Sequence, residues 1–299
     1  MILGFIGFGG AGYGLAKGLH QAGMKDILFY DRLQETPPYG EVIQRRAVEA
    51  GAVSTAGIGD LVPQVDVVFS CVTGPMAVSV AREAAPFLRK EHLFADVNTA
   101  APQVKEQVAE IVEQTGADFV DAAMMGAIPT FLHRVPILAS GVGAERFKAT
   151  MEPYGMNIRV IGPKPGQASA IKMFRSIFMK GMLSLFLEML TAAHRYGVEE
   201  TVLNSIAETM EETPFLETAR IQVTKGVVNA ERMAHEMEEV VATLEGMGVP
   251  AGMSRAAMEK LLWCADFGLR ERYGGELPKT LAEVLQAMGA GEQREPPSR

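Results

Sequence analysis

Two groups of residues in this chain have the types and the spacing to do chemistry. The first is Gly7-Phe8-Gly9-Gly10-Ala11-Gly12, a G-x-G-x-x-G set between an apolar run, Met1 to Ile6, and a helical pattern, Tyr13 to Ala22. At a strand-to-helix turn, Gly7 permits the tight turn and Gly9 removes the side chain that would block a pyrophosphate. Gly12 lets the helix pack closely on the strand. The helix N-terminus offers free N–H groups and a partial positive charge to phosphates, so Phe8, Gly10 and Ala11 belong to the same cradle. A second apolar run, Ile27 to Tyr30, ends in Asp31, 19 residues after Gly12. A carboxylate there would accept hydrogen bonds from the adenosine ribose hydroxyls. Its charge favours NAD over NADP; Arg32 beside it is a phosphate partner that keeps NADP open.

The second group lies on a long helical pattern, Ala168 to Tyr196. Lys172, Arg175 and Ser176 stand at i, i+3 and i+4 and share one face, with Lys180 a turn beyond Ser176. Met179 falls on the same stripe, and Met173, Phe174, Ile177, Phe178, Met182 and Leu185 fill the other faces. A helix with apolar residues on most sides is expected to be buried. Its cations then face a wet cleft or an anionic ligand, or pair with carboxylates across a domain interface. Burial and Arg175 would both lower the pKa of Lys172 toward the range useful for proton transfer.

Strand-like and helix-like segments alternate from residue 1 to about 162 to position these groups. The strand from Val65 runs into Val72 and Thr73, and His92 to Val97 leads into Asn98 and Thr99; Phe119 to Asp121, Val135 to Ala139 and Ile158 to Ile161 follow. Pro136 places the second of these at a sheet edge or a bulge. The pattern predicts an α/β fold: a Rossmann-type, doubly wound, mainly parallel sheet over residues 1–163, followed by an all-helical domain over 164–299. Gly162-Pro163-Lys164-Pro165-Gly166 marks the boundary, and the polar tail from Gly289 to Arg299 is expected to be disordered.

Composition narrows the partners. A net charge of −8 with no basic cluster argues against sequence-independent nucleic-acid binding. Cys71 and Cys264 form neither a disulfide framework nor a metal spacing, which fits a reducing cytoplasm and a site without metal. The apolar N-terminus lacks the basic flank of a signal peptide. Ile177 to Leu190, interrupted by Lys180 and Glu188, reads as too short to span a bilayer.

Four segments together resemble the β-hydroxyacid dehydrogenase superfamily, which includes 3-hydroxyisobutyrate and 6-phosphogluconate dehydrogenases. They are Gly4-Phe5-Ile6-Gly7-Phe8-Gly9, Asp96-Val97-Asn98-Thr99, Asp121-Ala122-Ala123-Met124-Met125-Gly126 and Gly166-Gln167-Ala168-Ser169-Ala170-Ile171-Lys172. Lys172-Met173-Phe174-Arg175-Ser176, followed by Lys180-Gly181, is similar to a poorly characterised phosphogluconate-dehydrogenase-like branch. The resemblance implies hydride transfer between a nicotinamide, NAD or NADP, and a hydroxyl- or carbonyl-bearing carbon. It gives Lys172 the acid/base role and places Asn98 and Thr99 beside nicotinamide and substrate.

Three departures stand out. Met125, before Gly126, replaces a carboxylate-binding serine of the D-A-P-V-S-G-G motif. Ser176 replaces the catalytic-helix asparagine, and His235-Glu236 replaces a later Lys-Asp pair. Arg175 is suited to a bidentate pair with a substrate carboxylate or phosphate. Met124 and Met125 would floor an apolar pocket or pack in the core. His133-Arg134 reads as a solvated basic turn or as a reach into the cleft, and His235 as a helix-interface residue. The expected function is an NAD(P)-dependent oxidoreductase acting on a small, anionic hydroxy acid or sugar acid, as a homodimer without nucleic-acid or membrane partners. An imine reductase and a non-catalytic NAD(P)-binding protein are the alternatives.

Overall fold

In the computed structural model, which describes residues 1–289, eight strands form one sheet in the order β3-β2-β1-β4-β5-β6-β7-β8. They are β1 (Leu3–Ile6), β2 (Ile27–Tyr30), β3 (Ala52–Ser54), β4 (Val67–Ser70), β5 (Leu93–Asp96), β6 (Asp118–Met124), β7 (Ile137–Ser140) and β8 (Ile158–Gly162). Every neighbouring pair is parallel except β6 and β7. Strands β1, β4 and β5 are buried throughout, which is why they read as continuous apolar runs rather than alternating ones.

Helices cover both faces. Those of the sheet-bearing part are α1 (Gly10–Gln21), α2 (Tyr39–Glu49), α3 (Ile58–Leu61), α4 (Ala77–Ala84), α5 (Pro102–Glu113), α6 (Ile128–Phe131) and α7 (Ala144–Met151). One core joins Phe5 and Phe69, stacked at 4.9 Å, to Leu15 and Leu19 of α1, Ile43 of α2 and Phe147 of α7. The other joins Ile6, Val68 and Phe94 to Leu61 of α3, Val80 of α4 and Val108 of α5. Adjacent residues such as Phe5 and Ile6 thus serve opposite cores, as the period of a strand requires.

One strand was not anticipated, and two local expectations change. The three-residue β3 escapes periodicity because Val53 and Ser54 are exposed at the sheet edge. Pro136 does not mark an edge: β7 is an interior strand, and Pro136 precedes its first residue, where no ladder donor is needed. The irregularity of β7 lies instead between Ala139 and Ser140, against β8. His133 is no solvated turn; it is buried beside Gly18 of α1, and burial holds its imidazole below the ordinary histidine range.

The remaining helices are α8 (Gln167–Tyr196), α9 (Glu199–Glu211), α10 (Phe215–Val228), α11 (Ala230–Gly246), α12 (Gly252–Ala265), α13 (Leu269–Arg272) and α14 (Leu281–Gly289). Gly289 closes α14, and the tail expectation for 290–299 lies outside the described residues. The chain divides into two units, Met1–Ile177 and Phe178–Arg299, so the first turns of α8 belong with the sheet. In the second unit Glu188 caps α12: its carboxylate accepts hydrogen bonds from the Met253 and Ser254 N–H groups and the Ser254 hydroxyl, at 2.7–2.8 Å.

The expectation of a buried α8 is overturned. Ile177 is 74% exposed and Leu187 62%, with Phe174, Phe178, Leu183 and Leu185 also open. At 30 residues the helix is also long and apolar enough, by length and composition, to cross a membrane, so it is not too short. Its flanking residues nevertheless serve folded units at both ends, through Ala168 and Ser169 in the first and Glu188 in the second.

Candidate active site

The sheet order reverses at β1, with β2 on one side and β4 on the other, which opens a crevice at the carboxyl ends of the strands. Gly7 leaves β1 at φ +94°, and a Cβ there would stand 2.5 Å from the Cys71 carbonyl oxygen. A Cβ on Gly12 would meet the Gly7 carbonyl at 2.2 Å. Both positions therefore exclude a side chain by contact with the protein itself. Gly9 and Gly10 differ: nothing lies within 4 Å of a Cβ at either. Tyr13 N–H donates to the Gly9 carbonyl as the first bond of α1, so Gly10, Ala11 and Gly12 have N–H groups without an intrahelical acceptor. An open, uncapped helix start fits the pyrophosphate of a dinucleotide.

Asp31 stands where the ribose would be read, and it also braces the glycine turn. Its carboxylate accepts the Phe8 N–H at 2.7 Å and the Leu33 N–H at 2.9 Å. Arg32 is exposed beside it. An unforeseen cation completes this end: Arg46 of α2 reaches the Phe8 carbonyl at 3.5 Å and lies over the Tyr13 ring.

At the ends of β4 and β5, Asn98 is buried and its side chain serves the scaffold. Its Oδ1 accepts the Val72 N–H at 2.6 Å, and its Nδ2 donates to the Ser70 hydroxyl at 3.0 Å. Thr73 and Thr99 are exposed on the same two turns. Lys172 Nζ donates to Thr99 Oγ1 at 3.0 Å. Burial, and then the Lys105 ammonium, hold Lys172 below the ordinary lysine value, against the opposing pull of the Asp121 carboxylate. The expected neighbour in that role was Arg175, which is exposed. The Ser176 hydroxyl donates to the Lys172 carbonyl at 2.9 Å and keeps its lone pairs.

Sequence reasoning missed Lys105. It sits on the stripe of α5 that also carries Val108, Ala109 and Val112, so a lysine on an apolar face was the available signal. Met125 donates its N–H to the Pro136 carbonyl at 2.7 Å, and Gly126 is exposed next to Phe131. His235 is exposed and lies 2.9 Å from the Glu231 carbonyl of its own helix. Among the described residues no group of three or more His, Cys, Asp or Glu converges as metal ligands would.

Fold and crevice together define a Rossmann protein built for a nicotinamide dinucleotide. The chain belongs to the β-hydroxyacid dehydrogenase-like superfamily: the model for the NAD binding domain of 6-phosphogluconate dehydrogenase matches residues 2–162. A domain of unknown function matches residues 193–263. The chain is 28% identical, over 80% of its length and 89% of the relative, to an uncharacterised 28.5 kDa protein of Methanothermus fervidus. It is 24% identical to a mitochondrial 3-hydroxyisobutyrate dehydrogenase of Drosophila melanogaster, over 68% of this chain and 62% of the relative. A solved conserved hypothetical protein of Sinorhizobium meliloti is 33% identical, with TM-score 0.62 over 88% of this chain and 87% of the other. An imine reductase of Myxococcus stipitatus in complex with NADP+ shares the fold at 18% identity, with TM-score 0.73 over 96% and 100% of the two chains.

The two kinds of glycine separate in experiment. Gly9→Val should leave thermal stability unchanged and weaken NAD(H) binding at least about tenfold, because a side chain there meets only the ligand's space. Gly7→Ala should lower stability by about 1–3 kcal/mol through strain and contact with Cys71. Chemical denaturation and fluorescence titration with NADH measure both.

Proposed function

We propose that this NAD(P)-binding protein is an oxidoreductase that moves a hydride between nicotinamide and the hydroxyl- or carbonyl-bearing carbon of a hydroxy acid or sugar-acid-like substrate. The observation that carries this reading is the half-buried Lys172, held 3.0 Å from Thr99 at the end of β5 in the crevice that the glycine turn borders. A bound nicotinamide supplies or accepts the hydride.

Lys172 handles the proton. In oxidation its neutral Nζ accepts the hydroxyl proton; in reduction its ammonium donates one to the carbonyl oxygen. Thr99 Oγ1 fixes the direction of Nζ, and Asn98 fixes the Thr99 turn. Arg175 is open for a bidentate pair with an anionic substrate group, and Ser176 retains an acceptor for a substrate donor. One observation favours C=N reduction as a second reading. Met125 brings an apolar side chain to the substrate turn, and its N–H is occupied by Pro136, so a carboxylate finds no donor there.

Three further assignments accompany the chemistry. Asp31 favours NAD. The free, buried Cys71 and the free Cys264 fit a cytoplasmic protein. The open apolar surface of α8 suits a second copy of the chain, because Lys172, Arg175 and Lys180 would each cost about 2.5–3.5 kcal/mol near a bilayer centre. Leu216 of α10, 82% exposed, extends the apolar area of the second unit.

Lys172→Ala is expected to reduce kcat by about 10²–10⁴-fold in a screen of hydroxy acids, sugar acids and cyclic imines. In the wild type, oxidation should rise with pH and level off below 10.5, because the neutral amine is the acceptor and its pKa is lowered. Reduction should fall over the same range, and Lys172→Ala should lose both limbs. Tight NADH binding with no turnover on any substrate would instead identify a non-catalytic binder. For the cofactor, KM should be lower with NAD than with NADP; a large NADP preference would refute the role given to Asp31. Light scattering should return twice the 32.2 kDa chain mass, and a monomer would refute the assignment of α8.

A further inference from the structure

Within electrostatic reach of Lys172 lies a lysine with no exposed surface. The side chains of Lys105, Asp96 and Asp121 are all 0% exposed. Lys105 Nζ lies 3.0 Å from Asp96 Oδ1 and 3.5 Å from Asp121 Oδ1, and donates to the Asp96 backbone carbonyl at 2.9 Å. Three acceptors match the three donors of an ammonium. Three charges removed from water are costly to bury, so such a cluster calls for a reason beyond stability.

The hydrogen bonds around the cluster supply one. They form two arms that start at Lys105 and meet again at Lys172. Along the first arm, Asp96 Oδ1 accepts the Asn98 N–H at 2.9 Å, and the next residue, Thr99, accepts from Lys172. Along the second, Asp121 accepts the Ser169 N–H at 2.9 Å and the Ser169 hydroxyl at 2.7 Å. Ser140, 3.4 Å from Asp121, accepts the Ala168 N–H at 3.1 Å. Ala168 and Ser169 form the first turn of α8, and Lys172 follows one turn later. The negative charge at the start of that helix is favourable on its own account. The two arms close a ring through β5, the Thr99 turn, α8 and β6, with Lys105 at one junction and Lys172 at the other.

We propose that Lys105 is a positioning residue of the active site: its buried ammonium ties the Asp96–Asn98–Thr99 turn to the Asp121–Ser169 start of α8, and so sets Lys172 against Thr99. This rests on the acid/base reading of Lys172. The charges facing Lys172 are Lys105 from α5 and Asp121 from β6, with Arg175 on its own helix, while Asp96 from β5 faces Lys105. Lys105 also helps to keep Lys172 below the ordinary lysine value. Asp96 Oδ2 is buried without a partner, and burial pushes the Asp96 carboxyl up, so the cluster has no second cation to replace Lys105.

Two variants test the proposal. Lys105→Gln keeps a polar N–H donor on a shorter side chain and removes the charge. Lys105→Met combined with Asp96→Asn removes the ion pair without leaving Asp96 charged. In each, competitive acetylation with acetic anhydride across pH, read at Lys172 by peptide mass spectrometry, reports position and protonation without any substrate. The titration midpoint of Lys172 should rise by about one pH unit, an about tenfold fall in reactivity below the midpoint. The exposed Lys180 should be unchanged and NADH affinity should hold. With a substrate in hand, kcat should fall about 10–100-fold, the scale of a small misplacement of a reacting group. Folded variants with an unshifted Lys172 midpoint or with wild-type kcat would overturn the role of Lys105. Undiminished turnover in Lys172→Ala would overturn the acid/base reading instead, and the acetylation result would still decide whether Lys105 sets Lys172.

Discussion

A buried ammonium between two buried carboxylates ties together the elements on which the site depends. The partners come from β5, α5 and β6, and the Asp121 carboxylate goes on to hold the first turn of α8. Charges in a low-dielectric interior tolerate little misplacement, because their mutual attraction offsets desolvation only in good geometry. The register of β5 against β6, which sets Asp96 directly opposite Asp121, is therefore tied to the place where α8 begins. A sheet and a helix that apolar packing alone would position loosely are locked together beside the crevice.

The opposite wall is held differently. There the backbone does the work: Gly7 and Gly12 let β1, the turn after β4 and α1 approach to distances at which a Cβ does not fit. Asp31 then fastens the turn by accepting the Phe8 N–H, so the acid at the end of β2 keeps the glycine turn in shape. One wall offers rigid N–H groups to an anion, and the other presents a lysine with lowered proton affinity. That division suits a dinucleotide on one side and proton exchange with a substrate on the other.

Much of the fold was legible because its signals are local. The glycine turn, the apolar runs of β1, β2 and β4 and the helical pattern from Ala168 to Tyr196 each occupy contiguous residues, and the structure forms them, starting the helix one residue earlier, at Gln167. Lys172 was legible as a cation on a helix face. Its surroundings were not: Lys105 outweighs Arg175 as the neighbouring charge, because closeness across the fold replaces closeness along the helix. Asn98 was legible as a residue of the β5 turn, but not its bonds to Val72 and Ser70, which tie that turn to the end of β4. The short edge strand β3 went unread, and Pro136 pointed to an edge or bulge where β7 is interior, since an edge is a property of the assembled sheet.

By itself, the sequence determined the order of elements, the glycine-rich turn of the NAD(P)-binding fold with its terminal acid, and the helix that carries Lys172. These follow from steric preferences and periodicities that act within a few residues. Only the tertiary structure decided which charges meet beneath that lysine, which glycines face protein and which face open space, and that α8 leaves its apolar sides uncovered in a single chain. Asp121 and Ser169 are 48 residues apart, and no local rule joins them. Their hydrogen bond exists because sheet packing brings both to one buried place, where each polar group must find a partner.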